Sequence, residues 1–287
     1  MPIDAHTQLA VLLGDPVEHS FSPLIHNTAF AAQDVNAVYL ARRVAPDDIA
    51  AAVEGLRALR LLGANVTLPH KQAVVPLLDA VSPQAEAVGA VNTIVCDEDA
   101  HGRLTLRGDN TDVDGFLEPL EPHADRLQGA EMLVFGAGGA ARAVVYALLT
   151  ACSPARLTLA VRTPAKAEPL ARDLAAYDAN DALEIVPMQE AGQALRASTL
   201  VVNATPLGMH PHPEGTPWPD ADDFGAEQIV YDLVCNPRTT RLLREAGARG
   251  ATTVGGLAML IGQAAAAYRQ WTGRTMPVDV VRQALNG

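Results

Sequence analysis

Of the 21 basic residues in the sequence only Lys71 and Lys166 are lysines; the rest are arginines. Lys71 lies in GANVTLPHKQ, directly after an apolar run that closes on Asn65 and Thr67. An ammonium group gives up its proton when its surroundings favour the neutral amine, whereas a guanidinium stays charged across the accessible range. A step that moves a proton to and fro therefore accepts lysine at position 71 and rejects arginine. A carboxylate beside the amine would orient it, and Asp112 in GDNTDVDGF is the candidate. The local alternative is a solvated lysine in a first helical turn and an aspartate that starts a helix, which the arginine bias of the chain weakens.

Around this pair stand neutral hydrogen-bonding groups in four clusters: GDPVEHSFSPLIHN, GANVTLPHK, GAVNTI and GDNTDVDGF. Ser20 and Ser22 can hydrogen-bond a carboxylate, helped by a helix N-terminus at Ser22-Pro23. Asn65, Thr67, Asn92 and Asn110 are side chains of the kind that recognise hydroxyls. Each also has a local reading: Ser22 as N-cap, Asn92 and Asn110 as turn formers, Thr67 as a β-branched strand residue. Taken one at a time the local readings would prevail. Four such clusters in succession favour a site.

A second kind of chemistry is written in MLVFGAGGAAR, an apolar strand, a tight glycine turn and a helix start. The spacing Gly136-x-Gly138-x-x-Ala141 lets backbone N–H groups approach a pyrophosphate and lets the helix pack closely on its strand. The pattern is weak alone and gains from its β-α-β setting. Where the next strand, RLTLAV, ends, an NAD site places Asp or Glu for the ribose 2′-hydroxyl. Here stand Val161, Arg162, Thr163, Pro164, Ala165 and Lys166: no carboxylate, two cations and a hydroxyl. That donor set suits the 2′-phosphate of NADP. Thr163 and Pro164 capping a helix, with the cations in solvent, is the alternative; capping and phosphate binding can coexist at one helix N-terminus.

The elements that must carry these groups alternate. Apolar runs at 9–14, 37–44 and 61–67 precede helical stretches beginning at Ser22, Pro46 and near Pro69. AVNTIVCD and RLTLRGD flank the polar turn EDAHG as a hairpin. A second series follows EPHADRLQGA: MLVFG, RLTLAV, LEIVP, TLVVNATP and QIVYDLV, with helical stretches between, then RLLREAGARG. HPHPEGTPWPDADDFG, rich in proline, is read as a surface loop, and two helical patterns close the chain. The pattern predicts an α/β protein with mostly parallel sheets.

Composition narrows the partners. A formal charge of −12 and a length of 287 residues fit two modest domains and argue against a nucleic-acid surface or polybasic membrane patch. An anionic ligand must be held by local groups. Cys96, Cys152 and Cys235 lack metal or redox spacing, and His210-x-His212 sits in the proline-rich loop without partners, so no metal is expected. The N-terminal residues lack a secretory pattern, and GLAMLIGQAAAAY is too short for a bilayer span. A cytoplasmic location is expected, with no nucleic acid and no membrane as partner.

Together GDPVEHSFSPLIHN, NVTLPHK, GAVNTI, GDNTD, GAGGAAR, NATPLGM, YDLVCNP and GLAMLIGQ resemble, in order and over nearly the whole chain, the shikimate dehydrogenase family. The resemblance implies reversible NADP-dependent reduction of 3-dehydroshikimate to shikimate, a step of aromatic biosynthesis. It implies a substrate domain, 1–112 with 255–287, and a Rossmann-type NADP domain, 113–254, around a cleft; it also admits a homodimer. Lys71 would be the catalytic acid/base with Asp112, and Ser20 and Ser22 would bind the substrate carboxylate. Asn65, Thr67, Asn92 and Gln263 would complete the substrate site, with Asp112 sharing a ring hydroxyl. Gly136, Ala137, Gly138, Gly139 and Ala140 would hold the pyrophosphate, and Arg162, Thr163 and Lys166 the 2′-phosphate. Thr205, Leu233 and Gly256 would be further cofactor contacts, the last two by the nicotinamide. Two positions depart from the family: Val161 replaces an asparagine, and Cys235 replaces a tyrosine whose hydroxyl reaches the substrate. A quinate/shikimate dehydrogenase using NAD or both cofactors is the near alternative. A dinucleotide-sensing binding protein without catalysis is the distant one.

Overall fold

The computed structural model describes residues 3–98 and 102–286. The chain forms two compact units, Met1–Thr111 with Ile261–Gly287, and Asp112–Leu260.

The first unit opens with β1 (Gln8–Gly14), α1 (Ser22–Ala32), β2 (Ala37–Arg43) and α2 (Ile49–Ala58). β3 (Gly63–Val66), β4 (Ala80–Val81), α3 (Pro83–Val88), β5 (Thr93–Glu98) and β6 (Leu104–Asp109) follow. The strands lie in the order β2-β1-β3-β5-β6-β4, and only β5 runs against the others. β1 is buried on both faces, which explains its unbroken apolar run. One face packs Val11, Leu13, Ile94 and Leu106 against Val53 and Leu56 of α2. Each such side chain contributes about 1.5–3 kcal/mol on burial.

One expectation needs correction here. No α-helix begins near Pro69: the chain turns through 68–74 into a short 3-10 turn at Val75–Leu77. Pro76 removes a donor there, and the Lys71 carbonyl accepts from Val91 N–H at 2.8 Å instead of from a helical partner. The β5–β6 hairpin forms as expected, but the middle of its turn lies outside the described residues.

The second unit contains α4 (Asp112–Leu117), α5 (Ala124–Leu127), β7 (Glu131–Phe135), α6 (Gly139–Cys152), β8 (Arg156–Val161), α7 (Glu168–Leu174) and β9 (Leu183–Pro187). After these come α8 (Gly192–Ala197), β10 (Leu200–Asn203), β11 (Ile229–Asp232), α9 (Arg241–Ala248) and β12 (Thr252–Gly255). The sheet is wholly parallel in the order β12-β11-β10-β7-β8-β9. Counted from β7, this is the doubly wound dinucleotide-binding order, with its switch point between β7 and β10. α6 is alanine-rich and buries Ala141, Val144, Val145 and Leu148, a spacing that puts one face on the sheet. The proline-rich loop is not all surface: Trp218 is 9% exposed, packs near Phe135 and donates its indole N–H to Asp223 at 2.9 Å. The sequence reading also missed β4 and β12, which are only two and four residues long.

α10 (Gly256–Thr272) and α11 (Val278–Asn286) close the chain, and α11 packs on α1. Trp271 of α10 donates to the Ile94 carbonyl at 3.0 Å and sits against Gly63, where a Cβ would overlap its indole.

Candidate active site

In the first unit the predicted polar residues gather at one end of the sheet. β1, β3 and β6 finish there and the antiparallel β5 begins there, so Gly14, Thr67, Asn92–Thr93 and Asn110–Thr111 share an edge. Gly14 has a strict reason: a Cβ would collide with the Thr67 methyl group and with Val17. Ser22 is not an N-cap. It is the first residue of α1, Phe21 precedes it without a side-chain cap bond, and the Ser22 N–H donates to Ser20 Oγ at 3.2 Å. Both serine side chains therefore lie at the N-terminus of an eleven-residue helix, where an anion is favoured.

Asn92 is 2% exposed, and its amide orientation follows from its neighbours. Oδ1 accepts from Thr111 N–H at 2.7 Å, from Thr111 Oγ1 at 3.1 Å and from Thr93 Oγ1 at 3.1 Å. Its Nδ2 is thus the end turned elsewhere, and it reaches Gln263 Oε1 of α10 at 3.5 Å. Asn65 is 4% exposed; its Nδ2 donates to Asn92 O and Thr93 Oγ1, both at 3.1 Å, and its Oδ1 accepts from Tyr39 Oη at 2.8 Å. Asn110 serves the backbone, donating to Ala90 O at 2.8 Å. Thr67 and Lys71 are half-buried on the turn beyond β3, tied back through Thr67 N–H to Leu13 O at 2.9 Å. The structure thus groups Ser20 with Ser22, and Asn65 with Asn92 and Gln263. Asp112, buried at the start of α4, follows Thr111 in the chain and belongs to the second unit.

In the second unit Gly136 has φ +107°, and a Cβ there would press on Ala204 O and the Thr205 methyl at 3.0 Å. Only glycine carries the chain through that turn. Gly138 sits at the N-cap of α6 without a side-chain cap bond, and a Cβ there would meet nothing within 4 Å. The first-turn N–H groups of Gly139 and Ala140 point out of a fourteen-residue helix with no intrahelical acceptor. Ala141 is fully buried, as close helix–strand packing requires. At the end of β8 Val161 is buried, whereas Arg162, Thr163 and Lys166 are exposed. Neither cation has an ion-pair partner among the described residues, and Thr163 makes no side-chain cap. Glycine cradle, helix N-terminus and uncommitted cations fit NADP, and no carboxylate stands at 161–166 to favour NAD.

Beyond the predicted residues, a buried carboxylate organises the switch-point side. Asp232 is fully buried at the end of β11. Oδ1 accepts from Asn203 Nδ2 at 2.9 Å and Val234 N–H at 3.0 Å, and Oδ2 accepts from Thr240 Oγ1 at 2.6 Å. Burial nevertheless pushes its carboxyl up to about 6, against these three donors. Asn203 in turn accepts from Thr205 Oγ1 at 2.7 Å, and Thr240 caps α9. The loop with Thr205 and the loop with Leu233 are therefore held by one network. Gly256 packs against the Leu233 carbonyl, where a Cβ would overlap it. Cys235 Sγ lies 3.6 Å from Leu233 O, and burial pushes the thiol up to about 12, so it stays protonated. A lone aspartate inside the apolar run QIVYDLV is the signal that marks position 232 in the sequence.

Known proteins share this arrangement. Residues 12–94 match the model for the shikimate dehydrogenase substrate binding domain, 120–210 that for shikimate / quinate 5-dehydrogenase, and 256–285 that for the shikimate 5′-dehydrogenase C-terminal domain. A shikimate dehydrogenase (NADP(+)) of Salinibacter ruber is 62% identical over 287 residues, covering 99% of each chain. A crystal structure of a shikimate dehydrogenase in complex with NADP+ superposes with TM-score 0.91 at 36% identity, covering 99% of this chain and 96% of that one. A quinate dehydrogenase of Corynebacterium glutamicum in complex with NAD gives TM-score 0.87 at 34% identity, with 98% and 99% covered. With the sheet-end amide cluster, the doubly wound second sheet and these full-length likenesses in agreement, the chain belongs to the shikimate dehydrogenase family.

Proposed function

We infer that the chain is an NADP-dependent shikimate dehydrogenase that interconverts 3-dehydroshikimate and shikimate. The observation that carries the reading is the linked set Asn65–Asn92–Thr111 with Gln263, adjoining the Lys71 turn through the bond from Val91 N–H to Lys71 O. It is a fixed array of neutral donors beside a lysine, as recognition of a polyhydroxylated ring next to a proton-transfer group requires.

NADPH, when bound by the 136–140 cradle and the Arg162–Lys166 segment, supplies the hydride for the substrate carbonyl. Ser20 and Ser22 at the α1 N-terminus take the substrate carboxylate, which fixes the ring's direction. Thr67, Asn92 and Gln263 hold ring hydroxyls. Lys71 gives its ammonium proton to the carbonyl oxygen as charge develops there, and the neutral amine takes it back in the oxidative direction. Asp112 orients the amine and shares a hydroxyl. In this reading 1–112 with 255–287 serves the substrate and 113–254 the cofactor. Three free cysteines fit the reducing cytoplasm as the place of work. A homodimer is part of the same proposal, tested by sedimentation.

The quinate alternative has its own support in the NAD-bound likeness above. Quinate adds a hydroxyl on the carboxylate-bearing carbon, so the Ser20–Ser22 pocket decides its admission. An absorbance assay at the reduced-nicotinamide band, crossing shikimate and quinate with NADP and NAD, separates the readings. Turnover with shikimate and NADP is expected. Quinate with NAD as the best pair overturns it in favour of the relative, and no turnover in any pair favours a binding protein.

A further inference from the structure

Tyr39, midway along β2, is fully buried, and all its polar atoms are committed. Asn27 of α1 clamps its backbone, accepting from Tyr39 N–H at 2.8 Å and donating to Tyr39 O at 2.9 Å. Its ring stacks on His26 with centroids 4.4 Å apart and planes 13° from parallel. His26 is fully buried one helical turn after Ser22, with the Asn65 side chain beside its ring. Burial pushes its imidazole down to about 3, so it acts as a neutral flat plate.

The Tyr39 hydroxyl has a defined direction. Asn92 O can only accept, so Asn65 turns Nδ2 towards it and leaves Oδ1 for Tyr39, which must donate. Asn65 also fixes Thr93, and Thr93 donates to Asn92 Oδ1. One side chain therefore grips the helix that begins at Ser22 and, through its hydroxyl, the amides on β3 and at the start of β5. Phenylalanine would pack equally well; the hydroxyl costs desolvation that its hydrogen bond to Asn65, with the Ser22 side chain beside it, offsets.

We propose that Tyr39 is a positioning residue for substrate recognition, its hydroxyl holding Asn65, and through it Asn92, in register with the Ser20–Ser22 end of the site. The proposal rests on the shikimate dehydrogenase reading, which turnover of shikimate by the unaltered protein tests separately.

Tyr39→Phe deletes only the hydroxyl. Expected is a rise of about 3- to 10-fold in KM for shikimate, the cost of one hydrogen bond, with KM for NADP within about twofold of the parent. Because the hydroxyl works through Asn65, Tyr39→Phe should add little in an Asn65→Ala background. His26→Phe, which keeps a ring under Tyr39, should leave the shikimate KM near the parent value. A folded Tyr39→Phe with unchanged shikimate KM overturns the proposal. So do multiplying effects in the double variant, or a His26→Phe that reproduces the KM rise. If the parent itself fails to oxidise shikimate, the functional reading falls first, and the proposal with it.

Discussion

Lys71 and Asp232 show two ways in which a single side chain is constrained. At position 71 the proposed chemistry selects the residue: Lys71→Ala should lower kcat by about 10²- to 10⁴-fold with little change in shikimate KM or circular dichroism. Near-normal turnover would remove Lys71 from the mechanism. At position 232 the surroundings set the charge. The native carboxyl titrates near 6, well above its ordinary 3.8, so between those values the folded state holds a proton that the unfolded chain has lost. The aspartate's contribution to stability therefore falls as pH rises through that window. Relative to the parent, Asp232→Asn should gain on the order of 2–3 kcal/mol in unfolding free energy between pH 4 and pH 7, read from denaturant melts at each pH. A pH-independent difference would refute the raised titration. Lys71 and Asp112 could be put forward from the sequence because the proposed chemistry limits their residue types. Tyr39 could not, since the partner that gives its hydroxyl meaning, Asn65, is 26 residues away on another strand.

The β-α alternation was legible, because strands buried on both faces read as plain apolar runs and the helices between them are rich in alanine. It failed where the local signal and the tertiary one part. The expected helix after Pro69 gave way to turns because Pro76 and the Lys71–Val91 bond claim its backbone. The proline-rich loop carries an anchor, Trp218, that composition alone conceals. The connection from β8 to α7 makes a prediction at this scale. Its short 3-10 turn leaves Arg162 and Lys166 in the open. Arg162→Ala should raise KM for NADP about 10- to 100-fold, the worth of a charged phosphate contact, and leave KM for NAD within about twofold. Equal losses with both cofactors would put the arginine somewhere other than the 2′-phosphate.

As a whole the molecule carries a formal charge of −12 and, in the proposed function, must capture anions. In that function helix N-termini, serines and a few cations would hold them, so specificity would reside in local geometry and not in a long-range field. NADP at a hundredfold excess over its Kd should add about 2.7 kcal/mol to unfolding, seen as a raised melting temperature, with a smaller rise for NAD at the same concentration. Equal rises would argue for dual cofactor use. The first unit is discontinuous in sequence, its last part being Ile261–Gly287. Trp271 fills the space over Gly63 and caps the Ile94 carbonyl, and Gln263 meets Asn92. During synthesis the second unit has all its residues while the first still lacks these side chains. The first unit, which serves the substrate in the proposed function, is therefore the last to mature on the ribosome, and a stop between Leu260 and Gln263 would release a second unit with all its residues joined to a first unit without Gln263 and Trp271.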